Sequence, residues 1–259
     1  MKRYPKRLPP FPWLDLDERF RFPDPMESPD HGLCGIGGNL SLGMLISAYE
    51  QGLFPWYGDD EPIMWWSPDP RFVLFPEELR VSSSMRRVLN SGRFRITADT
   101  AFPRVIRYCS KVSRKGQNGT WITEEMIEAY VRLHEAGYAH SVEAWMDENL
   151  AGGFYGIALG AGFFGESMFS LEPNASKAAF ITFCRLVTRQ PESDISGIAD
   201  AVDNAGIDAI PRFDFIDCQV HSTHIESLGA RLIERPVFLE LLEQVIRQPG
   251  APGKWSMPG

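Results

Sequence analysis

Glu166, Asp217 and Gln219 are the residues of this 259-residue chain whose types and spacing offer chemistry. Glu166 lies in Gly165-Glu166-Ser167-Met168-Phe169, a carboxylate inside a run that otherwise reads as a buried strand. In Phe215-Ile216-Asp217-Cys218-Gln219 an acid and an amide stand two residues apart, so strand alternation puts both on one face. An unpaired carboxylate in an apolar interior is costly, and each therefore demands a partner or a use. A satisfied structural network and an active site both meet that demand. Cys218, His221 and His224 form a second candidate, as a thiol with its base or as three metal ligands. Their spacing matches neither a zinc pattern nor a thiol-enzyme signature, and alternation turns Cys218 away from Asp217 and Gln219. No metal and no cofactor are expected. His134 and His140 read as a helix-surface and a strand-edge residue.

These residues need strands and helices to hold them. His140–Met146, Leu150–Leu159 and Gly162–Phe169 read as three consecutive strands, and Phe213–Val220 as a later one. A helix is predicted from Thr123 to Glu135, with Thr123 as cap and Glu124 and Glu125 in its first turn. Another follows Asn174-Ala175-Ser176 through Phe180, Phe183, Cys184 and Val187, and a last one runs from Pro236 to about Gln248. Strands and helices mixed in this order predict an α+β domain over roughly residues 120–248. Further upstream, Gly35-Ile36-Gly37-Gly38 reads as a tight turn, with Asn39 or Ser41 capping a helix through Leu42, Leu45, Ile46 and Tyr49. Residues 54–70 hold three of the seven Trp among several Pro and read as a rigid aromatic loop. The first thirty residues read as an extended arm, and the tail from Pro249 as loose.

Composition bounds the function. Hydrophobic residues make up 44% and charged residues 23%, the profile of a globular enzyme. No run approaches the ~18 apolar residues of a membrane span, and MKRYPKRLPPFPW lacks an apolar signal-peptide core. Four scattered Cys without a CxxC pair point to a reducing cytoplasm. The net charge is −8, yet its distribution is uneven. Residues 71–115 carry 11 basic and 3 acidic side chains, against 9 basic and 20 acidic over residues 116–259. Such a basic island in an acidic chain fits one anionic partner held at one place, with a solvated face as the bland alternative. The same contrast suits a second, cationic partner for the acidic part.

GGNLS, AYEQGLFPWY, PIMWWSPDPR, TWITEEMIEAYVRLHEAGYAHSVEAW, GGFYGIALG, FFGESMFS, NASKAAF, IDCQ and SLGA resemble, in order, the blocks of the leucyl/phenylalanyl-tRNA–protein transferase family. The resemblance covers about residues 22–240. It implies an enzyme that takes Leu or Phe, and also Met, from aminoacyl-tRNA and joins it to proteins with an N-terminal Arg or Lys. That step tags them for the bacterial N-degron pathway. The implied fold is a GNAT-like acyltransferase C-terminal domain after a smaller N-terminal domain, drawn here as residues 71–259 and 1–70.

By the same resemblance, Gln219 contacts the acceptor amine, Asp217 polarises Gln219, and Glu166 helps hold the acceptor. A carboxamide is a very weak base, so Gln219 is better described as an orienting acceptor of the amine proton. The donor side-chain pocket maps to Met168, Phe180, Phe183, Val187 and Ile216, although Phe180, Phe183 and Val187 share one helix face and core packing explains that spacing equally. Trp56 and Trp121 match aromatics around the 3′-terminal adenosine, the alternative being ordinary core tryptophans. Arg86 and Arg87, from the basic island, are the expected tRNA contacts. The chain departs from the family pattern at Asn39, where Asp is usual, and in residues 188–212, a long stretch with 5 acidic and 2 basic residues. Glu192, Asp194, Asp200, Asp203 and Asp208 of that stretch would draw in a cationic N-terminus. Two rival readings are an acyl-CoA-dependent N-acetyltransferase and a non-enzymatic N-degron recognition module. The first lacks its Q/R-x-x-G-x-G/A turn here, and the second has no use for the basic island.

Overall fold

A computed structural model describes residues 11–15, 18–29, 31–111, 121–188, 210–250 and 252–257. The five acids of the 188–212 stretch named above, and the basic pair Arg114 and Lys115, lie outside the described residues. Among the described residues the chain builds two sheets and seven helices, a mixed α/β architecture.

The first sheet is small. Strand β1 (Leu33–Ile36) is followed by helix α1 (Leu42–Glu50), β2 (Phe54–Pro55) and β3 (Met64–Trp66). β3 lies between β1 and β2 and runs antiparallel to both. Gly35 and Ile36 of the turn read from the sequence thus belong to a strand, and within the aromatic loop of residues 54–70 Phe54–Pro55 and Met64–Trp66 pair as strands while the rest stays irregular. Gly37 and Gly38 alone keep the positive φ of a turn. Short strands of two to four residues carry too little alternation to be read, and pairing across the chain makes them. Ser41 is the residue that caps α1, accepting from Met44 N–H. Asn39 instead clamps the arm, donating to the Leu14 carbonyl at 2.7 Å and accepting from Leu14 N–H.

The second sheet begins earlier than the predicted domain. Its elements are β4 (Arg71–Leu74), α2 (Ser83–Asn90), β5 (Arg95–Ala98), α3 (Phe102–Lys111), α4 (Glu124–Glu135), β6 (Ala139–Met146), β7 (Asn149–Leu159), β8 (Gly162–Ser170), α5 (Ala175–Thr188), β9 (Phe215–Gln219), α6 (Thr223–Glu226), β10 (Arg231–Ile233) and α7 (Arg235–Ile246). Seven strands stand in the order β10-β4-β9-β8-β7-β6-β5, and only β8 and β9 pair in parallel. The long meander β6–β7–β8 and the Thr123 cap of α4 match the sequence reading closely. At the start of α5 the free N–H of Ser176 is taken by Ser170 Oγ of the preceding strand, while Asn174 adopts a φ of 72°.

Two apolar layers cover this sheet. Val142, Phe154, Phe163 and Ile216 pack with Ala179, Phe183 and Val187 of α5. Tyr155, Ile157, Phe164 and Phe215 pack with residues of α1, α3, α4 and α7. The alternation of each strand divides its side chains between the layers.

The tail and the two histidines depart from expectation. Trp255 is 3% exposed, its backbone N–H donates to Asp99 Oδ2 at 2.7 Å, and its ring stacks on His140. His140 is 1% exposed with Nδ1 2.8 Å from Asp99 Oδ2, and His134 is half-buried and stacks on Phe102. Asp99 organises all three, and its position in space is invisible to local spacing.

Candidate active site

Two irregularities in the large sheet shape the site. Tyr155 pairs with Ser167 but Gly156 pairs with Gly165, so Glu166 is the extra residue of a bulge. Phe72 pairs with Gln219 but Val73 with Asp217, which makes Cys218 the extra residue of a second bulge. A bulge bends the strand and re-aims side chains. Gly156 is required opposite the first, because a Cβ there would sit 2.4 Å from the Phe164 carbonyl oxygen. At the second, Gln219 is held at a φ of 61°, a conformation costly for a non-glycine residue unless its surroundings impose it.

Asp217 imposes it. Its Oδ1 accepts from Gln219 N–H at 2.9 Å and from Arg71 Nε at 2.9 Å, while Oδ2 accepts from Arg71 Nη2 at 2.6 Å. Both side chains of this ion pair are fully buried. The guanidinium lies over the rings of Phe54 and Phe238 and donates to the Gly52 carbonyl. Gly52, with a φ of 82°, ends the turn after α1 and so aims that carbonyl at Arg71. Asp217 therefore bonds the main chain of Gln219. One basic residue of the 71–115 island is spent in the interior.

The Gln219 side chain turns to Glu166, with Nε2 donating to Oε1 at 2.7 Å. Tyr49 Oη donates to the same Oε1 at 2.7 Å, Tyr130 Oη to Oε2 at 3.1 Å, and the two phenols are 2.6 Å apart. Burial pushes the Glu166 carboxyl up to about 7, against the opposing pull of these hydrogen bonds, and the nearby Asp217 charge raises it further. Burial and the Glu166 charge hold both phenols well above their ordinary value, so they remain donors. Desolvation outweighs the three donors, which is why the carboxyl stands above its ordinary value despite them. No hydrogen-bond partner of the Gln219 side-chain oxygen occurs among the described residues.

Glu166, Asp217 and Gln219 thus meet, Gln219 bonding to both acids, a proximity that their positions in the sequence left open. Met168, Phe180, Phe183, Val187 and Ile216 also share one apolar cluster, with Phe154, Phe163 and Trp255. That cluster is the α5 layer, and Tyr49 and Tyr130 belong to the other. Adjacency of Met168 and Ile216 to the acids in sequence is no argument for adjacency in space, because Ile216 and its neighbour Asp217 face opposite sides of the strand and the extra residue at Glu166 breaks the alternation that would put Met168 on its face. Trp56 and Trp121 are half-buried and pack against the core, unlike the fully buried Trp65. Arg86 and Arg87 are exposed on α2. Burial and the Asp217 charge raise the Cys218 thiol far above its ordinary value, so no thiolate forms there. His221 pairs with Glu226 at 3.1 Å, and no group of three or more metal-ligating side chains occurs among the described residues. Tyr49, Tyr130 and Arg71 were missed from sequence. The available signals were a hydroxyl at the end of the apolar face of α1 and an arginine entering an apolar run.

A buried carboxyl that fixes an amide, with that amide's oxygen open, can orient a bound group without forming a covalent bond to it, which suits an enzyme that works by positioning. The family described as leucyl/phenylalanyl-tRNA protein transferase matches residues 73–215, and its N-terminal domain matches residues 38–69. The chain is 48% identical to the leucyl/phenylalanyl-tRNA–protein transferase of Syntrophus aciditrophicus, covering 95% of this chain and 94% of the relative. It is 47% identical to that of Myxococcus xanthus, covering 91% and 92%, and 46% identical to that of Oleidesulfovibrio alaskensis, covering 94% and 92%. The chain belongs to the leucyl/phenylalanyl-tRNA–protein transferase family and is an aminoacyltransferase.

Proposed function

We propose that this protein transfers Leu or Phe, and also Met, from aminoacyl-tRNA to the α-amino group of proteins beginning with Arg or Lys, creating an N-degron. Family membership supports the reaction, and the 2.7 Å contact of Gln219 Nε2 with Glu166 carries the mechanism. The donor is an activated ester, and the acceptor amine has a pKa of about 7.7–8.0, so a neutral fraction exists near pH 7. Catalysis then consists of placing the amine over the ester carbonyl. With its nitrogen committed to Glu166, Gln219 offers its carbonyl oxygen to an N–H of that amine. Arg71 and Asp217 keep Gln219 in the turn that points it there. Proton loss from the amine falls to water or the ribose hydroxyl.

Met168, Phe180, Phe183, Val187 and Ile216 receive the donor side chain in this reading. Trp56 and Trp121 stack on the terminal adenosine, and Arg86 and Arg87 contact the tRNA. The larger sheet with its helices is read as GNAT-like, residues 1–70 and 71–259 as the two domains, and the cytoplasm as the setting, which the four free cysteines support. No described helix is long and apolar enough to cross a membrane. Incubating the protein with labelled Leu-tRNA or acetyl-CoA and an Arg-starting peptide tests the reading. Labelled leucine on the peptide is the expected product, and acetylation instead would replace it with the acyl-CoA alternative.

A further inference from the structure

The basic island is not uniform once its partners are visible. Arg93 meets Glu172 at 3.0 Å, Arg107 meets Glu124 at 2.9 Å, and Arg71 is buried against Asp217. Arg95 and Arg104 differ. Both are exposed, and neither makes an ion pair with a carboxylate among the described residues. Each instead lies over the ring of Trp145, with guanidinium carbons 5.5 Å and 5.3 Å from its centroid. Arg95 comes from β5, directly across the ladder from Trp145 on β6, and Arg104 from α3. The ring itself is fixed. It is 9% exposed, and its Nε1 donates to Thr97 Oγ1 at 2.8 Å.

Two like charges gathered on one immobile ring, with no carboxylate between them, leave their hydrogen-bonding forks for an anion from outside. Stacking restrains the side chains beforehand, so less rotamer freedom is lost when the anion arrives. A guanidinium fork matches the oxygens of a phosphate. β5 is three strand spacings from β8, about 14 Å across the sheet from Glu166. An anion bound there is therefore not the group that reacts.

We infer that Arg95 and Arg104, seated on Trp145, form a phosphate site for the tRNA backbone, separate from the contacts that hold its aminoacylated 3′ end. This rests on the reading of aminoacyl-tRNA as the donor. Binding of Leu-tRNA across a salt series should be compared for the wild type, R95Q/R104Q, R95K/R104K and R86Q/R87Q, with circular dichroism reporting folding. R95Q/R104Q should bind about tenfold more weakly, with a slope of log K against log salt shallower by about 0.9 for each phosphate lost. R95K/R104K should keep the slope and lose part of the affinity, because an ammonium does not stack or fork. The ratio of kcat/KM for Leu-tRNA to that for a 3′-leucyl-adenosine donor should fall about tenfold in R95Q/R104Q. Wild-type affinity and slope in R95Q/R104Q, with both reduced in R86Q/R87Q, would move the phosphate contacts to α2 and overturn the inference. A wild-type protein that neither binds nor uses Leu-tRNA would overturn the proposed function, and this site with it.

Discussion

Glu166 and Glu143 are both buried carboxyls on the large sheet, yet only one sits in a site that can act. Glu143 is completely buried, and each of its oxygens has two donors. Ser141 Oγ and Ala101 N–H serve Oε1, while Thr97 and Thr100 hydroxyls serve Oε2. Those donors come from within the β5–α3–β6 neighbourhood and offer no group to a ligand. Glu166 has three donors, stays 8% exposed, and holds an amide whose far oxygen is open. Burial raises both carboxyls, so burial does not separate them. Saturation does. A carboxylate whose acceptor sites are filled by local donors is architecture, and one that is incompletely filled by groups with free ends has capacity left for a ligand.

This contrast makes saturated groups matter for stability and open ones for rate. The largest effect is expected at Arg71, where Arg71→Met strands the buried Asp217. Chemical denaturation should show a loss of about 3–5 kcal/mol, together with slower transfer as the Gln219 turn loosens. Unchanged stability would mean that the ion pair does not hold the turn.

The pH dependence of Glu166 comes next. Its folded-state value, about 7, stands above the ordinary 4.5. Its contribution to stability is therefore present below about pH 4.5 and lost as pH rises through 7, a swing on the order of 3 kcal/mol. Glu166→Gln should flatten the thermal midpoint between pH 5 and 8 and should remove a limb near pH 7 from the transfer profile. The limb belonging to the acceptor amine should remain. An unaltered profile would assign the lower limb to another group.

Gln219→Ala should slow transfer about 100-fold with little change in donor KM, since a misplaced nucleophile costs rate before binding. A pure KM effect would recast Gln219 as a binding residue. Glu143→Gln should cost about 1–3 kcal/mol by leaving donors unmatched, with kcat in the wild-type range. Rate loss there in a folded variant would break the contrast between the two acids. Cys218→Ser should have the smallest consequence, a few-fold change in transfer at most, because burial and the Asp217 charge disfavour a thiolate there. Abolished activity with the fold intact would bring the thiol mechanism back.

Local pattern carried much of this molecule. The β6–β7–β8 meander, the Thr123 cap, α5 and α7 followed from periodicity and capping chemistry, which depend on residues a few positions apart. Spacing also named Asp217 and Gln219, because alternation is a local property of strands. What spacing could not supply was any partner. Tyr49 reaches Glu166 across 117 positions, and Arg71 reaches Asp217 across 146. The short strands β1 to β4, the Trp255 tail on Asp99 and the division of the basic island were likewise decided by non-local pairing. Sequence periodicity determined which residues share a face of an element, because backbone geometry repeats every few residues. The tertiary structure alone decided which faces meet, and with that which buried charge was satisfied and which was left open to a substrate.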